Sequence, residues 1–513
     1  MLTVTDGMRL GRTVVGVGVA AFVAVAILST LIFEQVPHSE DEVAYLFQAK
    51  VFAQNRLSVP TPQFDSAFWS PFVVDYQGRR FGKYPPGWPL LLSVGVRLGA
   101  PWLVNTTLAA LTLGLIAWLG YRIYCHDDRD HGCYVALITV GLGLVTPGFL
   151  FLSSSLLSHA ASLFWTTLAL TALYRATTGS RFRQIFAFLT GLALGAVFLT
   201  RPFAALGIGL ALGVFIMALV LRREISWTTL LWLCLGSLAI GLFQPIYWWS
   251  ITGDPTFNAY LLVWPYDRVG FGLDIGPHGY TLHDAIFVNT RLKLAALATG
   301  LYGWPGWSSL LFLPIPFLTR RAGRWDWLLL LTIISLILVH IFYWAFGGVD
   351  GGFPRYYYDA LPAFLLLTAR GIQIVVQYLA RTEVRLPRSG WSCQLHWLLA
   401  GVLVCFVAYN LGWNLPLLLR AQKGKYDISP TPLQAVERAG LSDPALVLVQ
   451  DVESWSDFAA PFAANSPTLD GPVVYAIDWG PDYSNRLRRH FAGRTCWQLR
   501  GEALRRCSSR DVE

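Results

Sequence analysis

Glu40, Asp41 and Glu42 stand in a row shortly after a long apolar run, within "HSEDEVAYLFQAK". Carboxylates in that setting support two kinds of chemistry. One accepts a proton from a hydroxyl as a general base. The other ligates a hard divalent cation through oxygen. Asp41 and Glu42 are the candidate catalytic acids, and His38 joins them as the candidate metal set. A structural reading uses the same residues. Ser39 followed by Glu42 is a capping-box pattern, and acids in a first turn complement the helix dipole. Val43, Leu46, Phe47, Val51 and Phe52 then form an apolar stripe. The segment is expected to be an amphipathic helix lying flat on a membrane surface.

A second cluster lies in "GRRFGKYPPGWPLLLS" at 78–93, where Arg79, Arg80 and Lys83 precede Pro85, Pro86 and Gly87. Cations at headgroup depth can simply snorkel and anchor the chain. Beside carboxylates they also suit a lipid phosphate, through charge-assisted hydrogen bonds.

The chain that positions them has 513 residues, of which 54% are hydrophobic and 14% charged, with a mean hydropathy of +0.48. Apolar stretches of roughly 20 residues recur, the length that crosses a bilayer core of about 30 Å. This predicts an α-helical polytopic membrane protein. About 11 spans are expected, near 13–33, 101–122, 133–152, 154–174, 184–200, 202–221, 227–250, 297–319, 326–346, 357–379 and 395–418. The first is read as a retained span, because its apolar run is long and no small-residue cleavage site follows. The 21 Trp and 21 Tyr suit the two membrane interfaces.

The net charge of +8 does not point to nucleic acid, because the arginines sit in short loops between apolar runs. They are Arg9 and Arg12; Arg122 and Arg129; Arg175, Arg181 and Arg183; Arg222 and Arg223; Arg320, Arg321 and Arg324; Arg381, Arg385 and Arg388. All fall on one side if the spans alternate, and the positive-inside rule makes that side cytoplasmic. The reading is a multi-pass cell (inner) membrane protein with a cytoplasmic N-terminus. Residues 1–420 form the transmembrane domain, with external loops at 34–100 and 251–296. Residues 421–513 form a small external α/β domain, with strands at "ALVLVQ", "PVVYAID" and "TCWQLR". Seven cysteines show no metal-type spacing, and Cys496 and Cys507 can pair if this tail lies outside the cell.

An external site has no supply of ATP or nucleotide sugars, and the chain lacks a phosphate-binding glycine loop. Transfer chemistry there needs a lipid-borne donor, such as a sugar on a polyprenyl phosphate. A carboxylate would deprotonate the acceptor, and cations would receive the departing phosphate.

The acidic pair after the first span, then "AYLFQAKVFAQNRLSVPTP", then "GKYPPGWPLLLS", resembles the GT-C superfamily of membrane glycosyltransferases. Within it the chain is most similar to the aminoarabinose-transferase and protein O-mannosyltransferase group. "GLALGAVFLTRPFA" (191–204) and "PRYYYDALPAFLLL" (354–367) also resemble that family, and the likeness spans roughly residues 10–380. It implies inverting transfer from a polyprenyl-phosphate sugar to a lipid, glycan or protein acceptor. Asp41 matches the family's catalytic acid, with Glu42 its usual neighbour. Lys83 matches a lysine that contacts the donor phosphate, and Arg355 and Tyr356 fall where relatives meet the donor. Arg80 joins this donor-phosphate set. Some members use a divalent metal and others do not, so the Asp41, Glu42 and His38 metal set stays an open reading.

Arg201 is read as a snorkelling helix-end cation, and His159 as a satisfied structural histidine. His278 and His283 are five apart, unlike the i, i+4 pairs of helical metal sites. Three other functions stay in view. A transporter or flippase would need charged residues midway along its spans, and these spans carry few. A polymerase or ligase of lipid-linked glycans would share the donor class. A non-catalytic scaffold leaves the acid and cation clusters unexplained.

Overall fold

The computed structural model describes residues 4–125, 129–179, 181–385, 395–441 and 443–507. Arg388, counted with the arginine-rich loops, lies outside them. In a bilayer each backbone N–H and C=O must be satisfied within its own segment, so the apolar runs fold as helices. In order these are α1 (Val4–Leu31), then α2 (Glu40–Ala53) and α3 (Gly87–Arg97), then α4 (Trp102–Tyr124), α5 (Arg129–Val145) and α6 (Pro147–Ser154). The bundle continues with α7 (His159–Thr177), α8 (Arg183–Thr200), α9 (Pro202–Leu221), α10 (Trp227–Gly241) and α11 (Phe243–Thr252). After the short α12 (Tyr260–Val263) come α13 (Arg291–Gly300), α14 (Ile315–Leu318), α15 (Arg324–Ile341), α16 (Leu361–Arg385), α17 (Leu395–Tyr409) and α18 (Leu415–Gln422).

Among the described residues, eight segments are long and apolar enough to cross a membrane, or nine if the pair α5–α6, bent by 60°, counts as one span. The eleven windows differ from this at two places. Window 154–174 corresponds to α7, whose inward face carries Ser162, Thr166 and Thr167 and is less apolar. Window 297–319 is not one helix. Gly303, Pro305, Gly306, Pro314 and Pro316 divide it into α13, a 3-10 turn at 308–310 and α14, because proline removes an amide donor and clashes with the preceding turn. Helices α8 and α10 approach backbone to backbone. A Cβ on Gly191 would lie 2.0 Å from the Leu233 carbonyl oxygen, and one on Gly236 would lie 2.2 Å from that of Phe188. Small residues permit such contact where lipid supplies no hydrophobic drive between helices.

At one end of the bundle, loop 34–100 folds into α2, α3 and a sheet of β1 (Val59–Pro60), β3 (Arg79–Gly82) and β2 (Val73–Tyr76) in that order. A further pair, β4 (Val349–Asp350) and β5 (Phe353–Pro354), precedes α16. The C-terminal segment contains α19 (Thr431–Arg438), β6 (Ala445–Val449), α20 (Trp455–Ala464), β7 (Val473–Ile477), α21 (Pro481–His490), β8 (Thr495–Arg500) and β9 (Ala503–Arg506). Its sheet runs β7-β6-β8-β9, parallel except for β9. The three expected strands are present. The fourth, β9, pairs back on β8, and a Cys496–Cys507 disulfide closes that hairpin.

Helix α2 does not lie open on a membrane surface. Val43, Phe47 and Val51 pack into a core with Ala435, Val436, Phe458 and Phe462 of the C-terminal segment. Ala44, Tyr45, Leu46 and Ala49 pack on the opposite side into the membrane core. The helix is apolar on more than one face, and the C-terminal domain covers the side that a lipid surface was expected to cover. Lys50 fastens the junction, its Nζ donating to the Ala463 carbonyl and, at 2.9 Å, to that of Asn465.

Candidate active site

The first turn of α2 sorts the three acids. The Ser39 hydroxyl oxygen accepts the Glu42 N–H at 3.4 Å. The Glu42 carboxylate accepts the His38 N–H at 2.6 Å, one residue earlier than a capping box would place it. Glu42 is buried, and desolvation raises its pKa to about 7. Asp41 is left facing outward from the turn. The Tyr84 hydroxyl donates to one of its oxygens, and Arg355 Nη1 lies 3.3 Å from the other. Burial, and then the charge of Asp41, push the Tyr84 hydroxyl well above its ordinary pKa, so it remains a donor. Arg355 also pairs with Asp350 at 3.1 Å, and Asp350 lies 3.7 Å from Lys425 Nζ.

The neighbouring elements bring Tyr84 there. Gln48, two turns along α2, accepts the Gly82 N–H at 2.9 Å and donates to the Leu57 carbonyl at 3.0 Å, fixing the end of β3. The Pro-Pro-Gly segment then turns into α3. A Cβ on Gly87 would sit 2.6 Å from the Leu199 carbonyl oxygen, so only glycine lets α3 start against the end of α8. Trp88 Nε1 donates to the Leu156 carbonyl at 2.9 Å and locks the turn. These contacts set Lys83 beside the acids and bring Arg201, two residues beyond Leu199, to the same end.

Lys83 Nζ lies 3.5 Å from the Phe72 ring centre and 4.4 Å from that of Trp264, with Tyr84 and Tyr260 also around it. It is 2% exposed and forms no ion pair among the described residues. Burial lowers its pKa to about 8. Lys293, the third residue of α13, is 1% exposed, and its ammonium lies 5.1, 5.5 and 5.7 Å from the ring centres of Tyr356, Phe346 and Tyr357, with no ion pair among the described residues. Burial lowers it to about 8 as well. Aromatic faces attract these cations but do not neutralise them. A buried charge is costly unless well paired. Lys83 has only the partial compensation of Asp41, Asp267 and Glu40 at a distance, and Lys293 lies on the far side of Tyr356, so both suit an incoming anion.

Tyr356 links the two sides of the pocket. Its ring stacks on His340 at 5.1 Å, and the Arg201 guanidinium lies 5.8 Å from it. Gly347 has φ +79°, and a Cβ there would lie 2.5 Å from the Tyr356 ring. Arg201 is not a snorkelling helix-end residue. Its side chain is 12% exposed and pairs with His159 Nε2 and with Asp359, the latter at 3.8 Å. Asp359 is fully buried and accepts from Ser162 and Thr166. A charge at a helix end finds lipid headgroups only if no buried partner exists, and Asp359 supplies one.

Arg80 is not brought to this pocket. It faces Asp75 across the strands, takes both of that carboxylate's oxygens at 2.7–2.9 Å, and donates to the Phe68 carbonyl at 3.0 Å. Strand alternation sends it to the opposite face from its neighbours. His38, Asp41 and Glu42 do not converge as a metal set. Glu42 is engaged by backbone N–H groups, His38 by the Val36 carbonyl at 2.9 Å, and Asp41 by Tyr84 and Arg355. Among the described residues no three His, Cys, Asp or Glu side chains gather as ligands. His278 and His283 are exposed.

Tyr84, Lys293, Asp350 and Asp267 were not singled out by sequence reasoning. Asp267 is buried, with one oxygen accepting from Tyr343 and Trp344 at 3.0 Å each. One signal for Lys293 was present. The chain has only five lysines, at 50, 83, 293, 423 and 425, among 39 Lys and Arg, and the arginine-rich loops have none.

No family model and no curated protein matches the chain. Solved structures do. ArnT from Cupriavidus metallidurans bound to undecaprenyl phosphate has a TM-score of 0.55 at 14% identity, covering 97% of this chain and 93% of that one. Its apo state has a TM-score of 0.54 at 16% identity, covering 94% and 92%. The Archaeoglobus fulgidus oligosaccharyltransferase in complex with Zn and sulfate reaches 0.48 at 15% identity, covering 94% of this chain and 67% of that one. The chain therefore shares the fold of ArnT along nearly its full length.

Proposed function

We propose that this protein is a membrane glycosyltransferase that moves a sugar from a polyprenyl-phosphate donor to a lipid, glycan or protein acceptor at the external membrane face. The observation that carries the reading is a carboxylate, Asp41, oriented by Tyr84 and Arg355, beside Lys83, which is buried among aromatic rings, with a second buried lysine, Lys293, against Tyr356. The undecaprenyl phosphate bound to the structurally similar ArnT supports the choice of donor.

In this mechanism Asp41 takes the proton from the acceptor hydroxyl as its oxygen attacks the anomeric carbon. The carbon–oxygen bond to phosphate breaks, one displacement inverts the anomeric centre, and the bonding electrons leave with polyprenyl phosphate. The phosphate gains negative charge, which Lys83 and Lys293 receive, with Arg201, Arg355 and Tyr356 around them. Donors fixed where charge develops lower the barrier without reorganisation. Arg355 bridges Asp41 and Asp350, so it holds the base while facing the donor side. Tyr84 and Arg355 orient Asp41, and Glu42 holds the turn that presents it.

The test is incubation of the purified protein with polyprenyl-phosphate-linked sugars and an envelope extract. The reading expects polyprenyl phosphate and a glycosylated acceptor in equal amounts, with the anomeric configuration inverted. Retention of configuration, or a donor moved across a vesicle bilayer without cleavage, would replace it with a double-displacement enzyme or a flippase.

A further inference from the structure

The sheet of the C-terminal domain reverses its order of strand addition at β6. The chain lays β7 on one side of β6, then crosses back and lays β8 on the other. Open α/β sheets bind ligands outside the carboxyl ends of their strands at such a switch point. A cavity of about 400 Å³ opens there, a size ordinary for small-molecule sites.

The strands change character as they reach it. Alternate residues share a sheet face, and on the face covered by α21 the strands read Leu446–Leu448–Gln450, Val474–Ala476–Asp478 and Cys496–Gln498–Arg500. Each passes from apolar to polar where the cavity begins. Asp478 anchors the cluster, accepting from Gly480 N–H at 3.1 Å, Ser484 Oγ at 2.6 Å and Gln450 Nε2 at 3.2 Å. Gln498 sits in register with Leu448, and its amide makes no hydrogen bond among the described residues. Its free amide faces the cavity between Gln450 and Arg500.

The charges lining the cavity balance: Asp451 and Asp478 stand against Arg488 and Arg500. Arg500 pairs with Asp451. Asp478 accepts the N–H of Gly480, the residue before α21, and Asp482 lies in the first turn of α21, so two carboxylates oppose an anion at that helix end. A balanced set of amide, carboxylate and guanidinium groups donates and accepts in pairs, which suits vicinal hydroxyls better than a phosphate or a cation. We infer that this cavity is a binding site for a neutral carbohydrate, separate from the Asp41 pocket. Helix α20 lies on the opposite face of the same sheet, and α2 packs against α20, so the two sites are distinct, and this one stands whether or not the proposed transfer does.

Saturation-transfer NMR on the full chain, in a detergent without a sugar headgroup, tests this against neutral glucan, mannan, galactan and arabinan oligosaccharides. The wild type transfers saturation to at least one of them. A Gln450→Leu, Gln498→Leu double variant, and separately Arg500→Gln, lose that signal at least about ten-fold, as expected when paired hydrogen bonds are removed. Thermal unfolding and binding of undecaprenyl phosphate stay unchanged in both. No transfer to any of the oligosaccharides by the wild type, equal transfer in both variants, or displacement of the sugar by inorganic phosphate each overturns the inference.

Discussion

Replacing Lys83 by Met separates a cation kept for an anionic ligand from one kept for the fold. Lys83 Nζ is enclosed by Phe72, Tyr84, Tyr260 and Trp264, and burial lowers its pKa from 10.5 to about 8. Holding it charged at pH 7 therefore costs about 3 kcal/mol. The surrounding rings return about 0.5–2 kcal/mol of that. Methionine keeps an apolar stem in the box without the charge, so Lys83→Met should make the ligand-free protein more stable by about 1–2.5 kcal/mol. The gain is pH-dependent. The folded pKa lies below the unfolded one, so the unfolded state binds more protons between pH 8 and 10.5, and wild-type stability rises through that window. The variant's advantage is full below pH 8 and shrinks above it. Turnover moves the other way, falling by about 10²–10³ when a donor to the leaving phosphate is lost. Thermal unfolding in detergent at pH 7 and 10, with initial rates of polyprenyl-phosphate release, reads both. A variant that unfolds earlier at pH 7 and keeps its turnover would refute the reasoning and make Lys83 a structural cation.

Glu42 has a folded pKa of about 7, above its ordinary 4.5, so it contributes stability at low pH that is lost as pH rises through 7. Glu42→Gln keeps the acceptor for His38 and should be the more stable protein at pH 8, by up to about 3 kcal/mol, with turnover within a few-fold of wild type; pH-resolved unfolding and donor release check both. Lys50→Ala leaves the Ala463 and Asn465 carbonyls without their donor and should cost about 1–3 kcal/mol, seen as faster limited proteolysis between α18 and α19. Gly236→Leu forces a side chain toward the Phe188 carbonyl 2.2 Å away; it should cost about 1–3 kcal/mol of stability, read as a lower unfolding midpoint, whereas Gly213→Leu, with open space around its Cβ, should not.

Where segment chemistry is local, the sequence was readable. Most of the apolar runs became helices long enough to span, because a bilayer leaves the backbone no other partner. The strands "ALVLVQ", "PVVYAID" and "TCWQLR" appear as β6, β7 and β8. Misreadings arose where a partner lies far along the chain. Helix α2 looked like a surface helix because Phe458 and Phe462, its cover, come four hundred residues later. Arg201 looked like a snorkelling end because Asp359 is out of local view. Arg80 and Lys83 looked alike in one cluster, yet strand alternation and the Asp75 pair separate them. Lys293 stood in a loop without pattern, and only the scarcity of lysine marked it.

The central claim rests on one oxygen atom of one side chain. The most direct measurement is donor turnover by purified wild type and Asp41→Asn, with undecaprenyl-phosphate binding measured on both to show that each pocket is intact. The account expects Asp41→Asn to bind the lipid as wild type does and to release polyprenyl phosphate from its sugar at a rate lower by about 10²–10⁴, the usual contribution of a general base. Equal release by the two proteins would contradict it, and would leave Asp41 as a partner that only orients Arg355 and Tyr84.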